Sequence, residues 1–270
     1  KGLPRPGLSG SRSSRRGPRL KPRGPRIRLG PMRLSVVVPC FNEEGNIARV
    51  VGQAAEVGRQ HTSDLEIVVV DDGSTDDTAS VLRSLKDETP ELRVVEHARN
   101  RGYGAAVRSG LYRASMDYVF LTDGDGQFDL EELPSAMGLL SEHDVVAGYR
   151  ENRQDGWWRG LWGRTWTALV NRALGLRVRD ANCAFKLVPQ SLLRSSDLRS
   201  EGALISAELL LEARRFDLSV AECAVSHYPR RTGRQTGASL RVIATAFLEL
   251  AECLPRRWRA SGETVRRAPQ

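Results

Sequence analysis

The apolar positions of this chain form short unbroken runs that alternate with stretches at helical spacing. From the runs we predict strands at 34–39, 65–70, 92–96, 118–122 and 145–147. Helices are predicted between them, at 42–58, 75–86, 104–114 and 130–140. Unbroken apolar runs are typical of strands that are covered on both faces, as in parallel sheets. Their alternation with helices therefore predicts an α/β fold, in which helices flank a mostly parallel sheet.

The second half of the chain is less regular. Residues 150–166 combine Arg with Trp, and 167–190 mix a helix with a short loop and strand. Helices are predicted at 200–215 and 239–254, on either side of a basic, glycine-containing loop at 227–237. We expect one folded domain at 34–258. Its expected parts are a nucleotide-binding half at 34–127, an acceptor half at 128–240 and an amphipathic helix at 239–258, followed by a flexible tail at 259–270.

The net charge of +8 comes from the N-terminal tail. Residues 1–33 hold eleven Lys or Arg and no acid, which leaves 30 basic and 33 acidic residues in the remainder. The tail has little to bury and is predicted to be disordered. Two interpretations of the tail stay open. In the first, the functional chain starts at the first methionine, Met32, and the tail is upstream sequence. In the second, the tail is an arm that binds anionic lipid or nucleic acid. Because the remainder is nearly neutral, we do not expect nucleic acid as a partner.

Polar residues directly follow three of the predicted strands, at 39–43, 71–74 and 123–127. Ligands of open α/β sheets bind beyond the carboxyl ends of the strands. These three segments are therefore predicted to meet at one rim of the sheet and to form the site. No apolar run reaches the roughly 20 residues that cross a bilayer, so we predict no transmembrane helix.

The strongest chemical signal is the acidic segment 123–127. Asp123 and Asp125 are two carboxylates that repel each other unless a cation lies between them. Oxygen ligands of this kind suit Mg²⁺ or Mn²⁺, which then also bind substrate phosphates. The alternative interpretation is an Asp/Gly turn in solvent. The flanking glycines, Gly124 among them, allow close approach of the backbone to a ligand.

Two further rim segments offer groups for a nucleoside. Asp72 can accept a hydrogen bond from a base or ribose, Phe41 offers an aromatic face and Glu43 a carboxylate. Helix capping is the competing interpretation, by Ser74 or Thr75 in one segment and by Asn42 in the other. The segment 100–104 opens a helix, and its N-terminal turn at Gly104 is predicted to face an anionic or hydroxylated ligand.

Four segments together, 37–44, 69–76, 100–104 and 122–127, resemble family 2 glycosyltransferases. Their order and spacing are similar to the dolichol- or polyprenyl-phosphate sugar synthase group. The resemblance implies a GT-A fold and an inverting transfer from a UDP- or GDP-linked sugar. The implied nucleoside contacts are Pro39, Phe41, Glu43 and Asp72. The implied ligands of the metal and diphosphate are Asp123, Asp125 and Gln127.

The resemblance also implies residues on the acceptor side. Arg150 matches a family arginine near the acceptor or the sugar phosphate. Residues 180–186 resemble an acceptor segment, with Ala184 where glycine is usual. The loop that begins at Arg230 resembles one that closes on the diphosphate. Gln235 and Thr236 stand there in place of Ser and Lys, so that Arg231 or Arg234 is left to supply the charge.

The expected acceptor is a polyprenyl phosphate at the cytoplasmic leaflet, and a soluble hydroxyl acceptor is the alternative. A polyprenyl phosphate is already ionised, whereas a soluble hydroxyl acceptor needs a base, for which Asp180 is the candidate and Glu208 a weaker one. Asp180 is otherwise a structural carboxylate in a turn, and Glu208 is otherwise an ordinary surface residue of a helix.

Two features suit the cytoplasmic face of a membrane. They are the stripe of Trp158, Trp162 and Trp166, and the last helix with its face of Leu240, Ile243, Phe247, Leu250 and Leu254 before Arg256, Arg257 and Arg259. Packing on the sheet is the alternative for the stripe, and docking on the domain or on a dimer partner is the alternative for the last helix. The non-enzymatic alternative is a protein that binds nucleic acid or anionic lipid through its basic tail.

Overall fold

Seven strands form one sheet in the computed structural model, which describes residues 32–151, 157–230, 232 and 240–258. The strands are β1 (Arg33–Cys40), β2 (Asp64–Asp71), β3 (Leu92–Glu96), β4 (Tyr118–Leu121), β5 (Val145–Arg150), β6 (Lys186–Pro189) and β7 (Val220–Val225). Their order is β3-β2-β1-β4-β6-β5-β7. β6 runs antiparallel to both of its neighbours, and the other neighbouring strands are parallel. The predicted α/β fold with a mostly parallel sheet is confirmed.

Helices cover both faces of this sheet. They are α1 (Ile47–His61), α2 (Thr78–Glu88), α3 (Tyr103–Arg113), α4 (Leu133–Leu139), α5 (Trp157–Leu174), α6 (Gln190–Ser195), α7 (Ile205–Arg215) and α8 (Leu240–Cys253). A short 3₁₀ turn, Leu130–Glu132, precedes α4, and another, Leu254–Trp258, follows α8. Within the described residues, no helix combines the length and apolar character needed to cross a membrane.

The strand β1 shows why the apolar runs form strands here. Val36 and Val38 pack on one side, against α1 and α4, and Val37 packs on the other side, against α3. Alternate side chains of a strand point to opposite faces, so a strand between two helical layers is apolar on both faces. Gly110 brings α3 directly onto the sheet, since a Cβ there would lie 2.4 Å from Cγ1 of Val37.

Two helices begin later than predicted, and the predicted caps are wrong. Asn42 takes a left-handed conformation (φ 56°), and its side-chain oxygen accepts from the backbone N–H of Thr75 at 2.8 Å. The side chain therefore joins two loops instead of capping α1, which begins at Ile47. In the second loop, Asp76 accepts from the N–H of Thr78, and the N-cap residue of α2 is Asp77.

The buried side of the last helix coincides only in part with the apolar face predicted from its spacing. Its buried positions are Ala246, Glu249, Leu250 and Cys253. Phe247 and Leu254, which belong to the predicted apolar face, are 50% and 43% exposed, whereas Leu250 of the same face is buried. The side chains of Leu240 and Ile243 lie outside the described residues. Glu249 is internal because its carboxylate accepts hydrogen bonds, rather than through apolar contacts.

Candidate functional site

The carboxyl ends of β1, β2, β4 and β5 lie along the same edge of the sheet, because these strands run in one direction. The edge therefore gathers the three polar segments that were predicted to meet there, at 39–43, 71–74 and 123–127. β5 extends further than predicted and ends at Arg150, which brings this arginine to the same edge. We call the segment 122–128 the acidic loop.

The acidic loop is held from several sides. The phenol of Tyr103 donates to Oδ1 of Asp123 at 2.9 Å, and the N–H of Gln127 donates to Oδ1 of Asp125 at 3.1 Å. Gly124 was predicted to face the ligand, but the space a side chain would fill is taken by β1. A Cβ there would lie 2.8 Å from the carbonyl oxygen of Pro39. Gly124 thus brings the loop against the end of β1.

The electrostatics of the two aspartates suit a cation. Burial and, next, the charge of Asp123 raise the pKa of Asp125 to about 6. Burial also raises the pKa of Asp123, against the opposing effects of the Tyr103 hydrogen bond and of the charge of Arg150. The raised pKa values mean that nearby positive charge does not fully stabilise the two ionised carboxylates. A divalent cation between them would supply that charge.

The two carboxylates also fit a metal site in which the protein supplies few of the ligands. Among the described residues, no group of three or more His, Cys, Asp or Glu side chains is placed to hold a metal. A pair of carboxylates matches an ion that keeps several waters and shares the phosphates of its substrate, as Mg²⁺ does. The third predicted ligand, Gln127, is nearly buried, and its amide nitrogen donates to the carbonyl of Tyr228 at 2.8 Å. Its role as a ligand stays a prediction.

Arg150 and Asp180 form a bidentate ion pair beside the acidic loop. Nε and Nη2 of Arg150 donate to the two carboxylate oxygens at 2.7 and 3.0 Å, and the side chains are 15% and 11% exposed. The N–H of Asn182 donates to the same carboxylate at 3.2 Å. Asp180 is therefore a partner of Arg150 in this structure, which weakens the prediction that it is a base. Below the pair lies the fully buried Lys186, whose ammonium donates to the carbonyl of Cys183, and burial lowers its pKa.

Glu43 and Arg230, which were assigned to the nucleoside and the diphosphate, contact each other. Asn46 donates to the same carboxylate at 2.8 Å and to the carbonyl of Thr232 at 3.4 Å. Burial raises the pKa of Glu43 despite these donors. The pair anchors the start of the basic loop to the end of β1. Arg231 and Arg234, the other predicted cations of that loop, lie outside the described residues.

Asp72 is directed inward and holds the segment before α3. Its carboxylate accepts from the N–H groups of Arg101 and Gly102 at 2.9 and 2.8 Å, and Nδ1 of His97 lies 2.6 Å from it. A carboxylate with three internal partners positions a loop, and this departs from the prediction that Asp72 accepts from a base or ribose. The sequence drew no attention to His97. Phe41 and Pro39 lie at the end of β1, half-buried and buried respectively.

The N-terminal turn of α3 does not face a ligand as predicted. The N–H groups of Gly104 and Ala105 donate to the carbonyl of Glu201, at 2.8 and 3.3 Å. A Cβ on Gly104 would lie 2.5 Å from the carbonyl oxygen of Gly202. The glycine is required by this internal contact, because the segment that contains Glu201 covers the end of the helix.

Two predictions for the acceptor half are corrected by buried charges. Glu208, expected on the surface, is fully buried in α7 and is contacted by the guanidinium of Arg256. The same guanidinium contacts Glu212, which is also fully buried. Arg256 therefore points into the protein, away from a lipid surface, and Glu208 is not available as a base. Arg257 and Arg259 lie outside the residues whose side chains are described.

Of the tryptophan stripe, only Trp166 has a described side chain. Its ring meets that of Phe247 edge to face, with centroids 5.3 Å apart, and its Nε1 donates to Oδ1 of Asn182 at 3.2 Å. Trp166 thus packs α5 on α8 and touches the segment that carries Asp180. The side chains of Trp158 and Trp162 lie outside the described part.

Comparison with known proteins gives a consistent result. The family model "Glycosyl transferase family 2" matches residues 35–201. An undecaprenyl-phosphate 4-deoxy-4-formamido-L-arabinose transferase from Sodalis glossinidius is 29% identical over 225 residues, which are 82% of this chain and 68% of that protein. A dodecaprenyl-phosphate galacturonate synthase from Rhizobium johnstonii is 33% identical over 213 residues, 75% of this chain and 61% of that protein. The chain thus spans about two thirds of the length of these relatives.

Solved structures share the fold. Glucosyl-3-phosphoglycerate synthase from Mycobacterium tuberculosis, in complex with Mn²⁺, UDP and glucosyl-3-phosphoglycerate, has a TM-score of 0.62 at 22% identity, with 84% of this chain and 80% of that chain covered. The same enzyme with Mn²⁺ and UDP-glucose has a TM-score of 0.63 at 23% identity, with 82% and 79% covered. The expected GT-A fold is confirmed.

Proposed function

This chain belongs to glycosyl transferase family 2, and on that premise we propose that it transfers a sugar from a nucleotide-diphosphate sugar to a polyprenyl phosphate. The names of the two curated relatives support a polyprenyl-phosphate acceptor. One observation in this chain carries the proposal. The carboxyl groups of the acidic loop and the Arg150–Asp180 ion pair occupy the same edge of the sheet, so a donor site adjoins a cationic group.

On the donor side, Asp123 and Asp125 would hold Mg²⁺ or Mn²⁺, and Gln127 is the third proposed ligand. A bound divalent cation supplies positive charge to the diphosphate as it leaves. The half-buried Phe41, just beyond the end of β1, offers an apolar surface for the base of a UDP- or GDP-linked sugar, and the buried Pro39 lies two residues before it. Arg230, fixed by Glu43, begins the basic loop on the diphosphate side, and the predicted contact of Arg234 belongs to the same loop.

The transfer itself needs little from the protein beyond positioning. A phosphate oxygen of the acceptor attacks the anomeric carbon, the bond from that carbon to the diphosphate breaks, and the nucleoside diphosphate leaves with the electron pair. The configuration is inverted. Since the acceptor is already ionised, the chain has no proton to remove. Arg150 contributes a planar guanidinium, whose geometry matches phosphate oxygens.

The state of Asp180 favours this acceptor over a hydroxyl group. A base must be free to take a proton, whereas this carboxylate accepts two hydrogen bonds from Arg150 and one from Asn182. Glu208, the other candidate, is buried against Arg256. A hydroxyl acceptor is therefore not favoured.

We also propose that the chain works at the cytoplasmic face of a membrane, where a lipid phosphate is held. Exposed apolar side chains support this. Phe247 and Leu248 of α8 are 50% and 68% exposed, and Leu169 of α5 and Leu254 beyond α8 are also exposed. Such side chains on neighbouring helices suit a peripheral contact with lipid. A homodimer through the same surface remains the competing proposal.

The function is tested with purified protein and a panel of UDP- and GDP-linked sugars. Each donor is offered with polyprenyl phosphate in detergent or with a water-soluble hydroxyl acceptor, in Mn²⁺, in Mg²⁺ or in EDTA. We expect transfer to the lipid phosphate that EDTA and Asp125→Asn both abolish. Asp129→Asn, at a half-buried aspartate that caps the 3₁₀ turn, is the control. Transfer to the soluble acceptor alone, or transfer that persists in EDTA, contradicts the proposal.

A further inference from the structure

Asp123 has a hydrogen-bond partner outside the acidic loop. Tyr103 is the first residue of α3, and its phenol donates to Oδ1 of Asp123 at 2.9 Å. Tyr103 is 37% exposed, so its ring is not fixed by burial alone. Its position depends on the backbone at the start of α3. The orientation of the Asp123 carboxylate therefore depends on what holds that turn of helix.

The start of α3 is held by the segment 199–202. The carbonyl of Glu201 accepts from the N–H groups of Gly104 and Ala105, and Arg108 donates to the carbonyl of Arg199 at 2.9 Å. Gly104 lies so close to this segment that a Cβ would meet Gly202. The first N–H groups of a helix have no partner within the helix, so a carbonyl that accepts from two of them fixes its end.

That segment is in turn held by one carboxylate of α8. Oε1 of Glu249 accepts from the N–H groups of Glu201 and Gly202, both at 2.7 Å. Glu249 is 8% exposed, and its Oε2 has no hydrogen-bond partner within the described residues. A buried carboxylate with one unpaired oxygen is costly. Its hydrogen bonds to two consecutive N–H groups give it a specific task, which is to hold the peptide at Glu201.

We propose that Tyr103 positions Asp123 for the cation, and that Glu249 fixes Tyr103 through the segment 199–202. Helix α8 then takes part in the donor site through a continuous path of hydrogen bonds, from Glu249 to Glu201 to the start of α3. Both are positioning residues. The inference rests on the proposed function, because it needs Asp123 to hold a cation.

The first test is the affinity for Mn²⁺ in the presence of UDP, measured by titration calorimetry. Tyr103→Phe removes the hydrogen bond and keeps the ring. Because a hydrogen bond to a charged group is lost, we expect about tenfold weaker Mn²⁺ binding. Tyr112→Phe is the matched control. Tyr112 lies on the same helix, is 46% exposed and donates to the carbonyl of Ser196 at 3.1 Å, away from the acidic loop. We expect its Mn²⁺ affinity to match the wild type.

The second test separates hydrogen bonding from charge at Glu249. Glu249→Ala removes the acceptor, and Glu249→Met does so while filling the space, in case the alanine variant does not fold. Both are expected to weaken Mn²⁺ binding several-fold. Glu249→Gln keeps an oxygen for the two N–H groups and is expected to retain wild-type affinity within about twofold. Glu252→Ala, at an exposed glutamate of the same helix, is the control.

A double-mutant cycle tests whether the two residues act on one path. If Glu249 acts through Tyr103, Tyr103→Phe is expected to weaken Mn²⁺ binding little further in a protein that already carries Glu249→Met. Hydrogen exchange of the metal-free protein gives a readout that does not depend on the cation. The amides of Gly104 and Ala105 are expected to exchange faster in Glu249→Met and at the wild-type rate in Tyr103→Phe.

Three results would overturn the inference while leaving the proposed function intact. They are unchanged Mn²⁺ affinity in Tyr103→Phe, additive effects in the cycle, and a loss in Glu249→Gln as large as in Glu249→Met. The last would mean that the charge of Glu249, acting over distance, attracts the cation. A wild-type protein that binds neither Mn²⁺ nor UDP contradicts the proposed function itself, and the inference falls with it.

Discussion

Replacing Asp180 with asparagine separates two roles for this carboxylate. In the structure it accepts two hydrogen bonds from Arg150, and both side chains are largely buried, so solvent screens the pair only weakly. Asparagine keeps one acceptor oxygen and places an NH₂ group where the second oxygen was. One charged hydrogen bond, at about 1.5–3 kcal/mol, is lost. We therefore expect the KM for polyprenyl phosphate to rise about 10- to 100-fold, with kcat lowered less than about tenfold.

The assay measures initial rates over a range of acceptor concentrations, at saturating donor and metal, from pH 6 to 9. Asp197→Asn is the control, because Asp197 pairs with Arg199 through two nitrogens on the exposed surface. Its kinetics are expected to be those of the wild type. A general base contributes about 10²–10⁴-fold to the rate. A fall of that size in the kcat of Asp180→Asn, with unchanged acceptor KM and loss of a pH-dependent limb, would refute a positioning role.

Three stability predictions are checked by urea unfolding. Gly110→Ala forces a Cβ to within 2.4 Å of Val37 and should lower the free energy of unfolding by about 1–3 kcal/mol. Gly52→Ala, in α1 with no atom within 4 Å of the new Cβ, should instead raise it by about 0.5–1 kcal/mol. Equal effects at the two glycines would contradict this account of helix packing. Arg256→Met leaves Glu208 and Glu212 with only their other donors and should lower the free energy of unfolding by about 3 kcal/mol. A loss below about 1 kcal/mol would mean that the ion pairs of Arg256 with these two glutamates are not needed for stability.

The first half of the fold was predictable because its strands are buried on both faces. β1, β2 and β4 are mostly apolar, with Ser35 of β1 donating to the buried Glu66 of β2, and each strand leads directly into a polar segment. β7 mixes polar and apolar residues as an edge strand with one covered face, and it was not predicted. β6 is four residues long, and its place between β4 and β5 is decided by pairings far apart in the sequence. No local pattern carries that information.

The sequence predicted which residues belong to the site better than it predicted which residues contact each other. Strand ends identified Asp123 and Asp125 as rim residues, since the rule on carboxyl ends needs only strand direction, whereas Arg150 was implied by the family resemblance. The pairing of Glu43 with Arg230 joins residues that are 187 positions apart. Glu249 is internal because its carboxylate accepts from two backbone N–H groups. Partners of this kind depend on tertiary structure that helical spacing does not encode.

The position of β6 also has a consequence for how the chain reaches its native state. β4, whose four residues are all buried, pairs with β1 on one side and with Lys186–Pro189 on the other. During synthesis the first four strands can assemble well before β6 exists, so β4 then presents an unpaired apolar edge. Such edges join other chains. A nascent chain that stalls after β4 is therefore an aggregation-prone species, and its protection depends on a strand that is made much later.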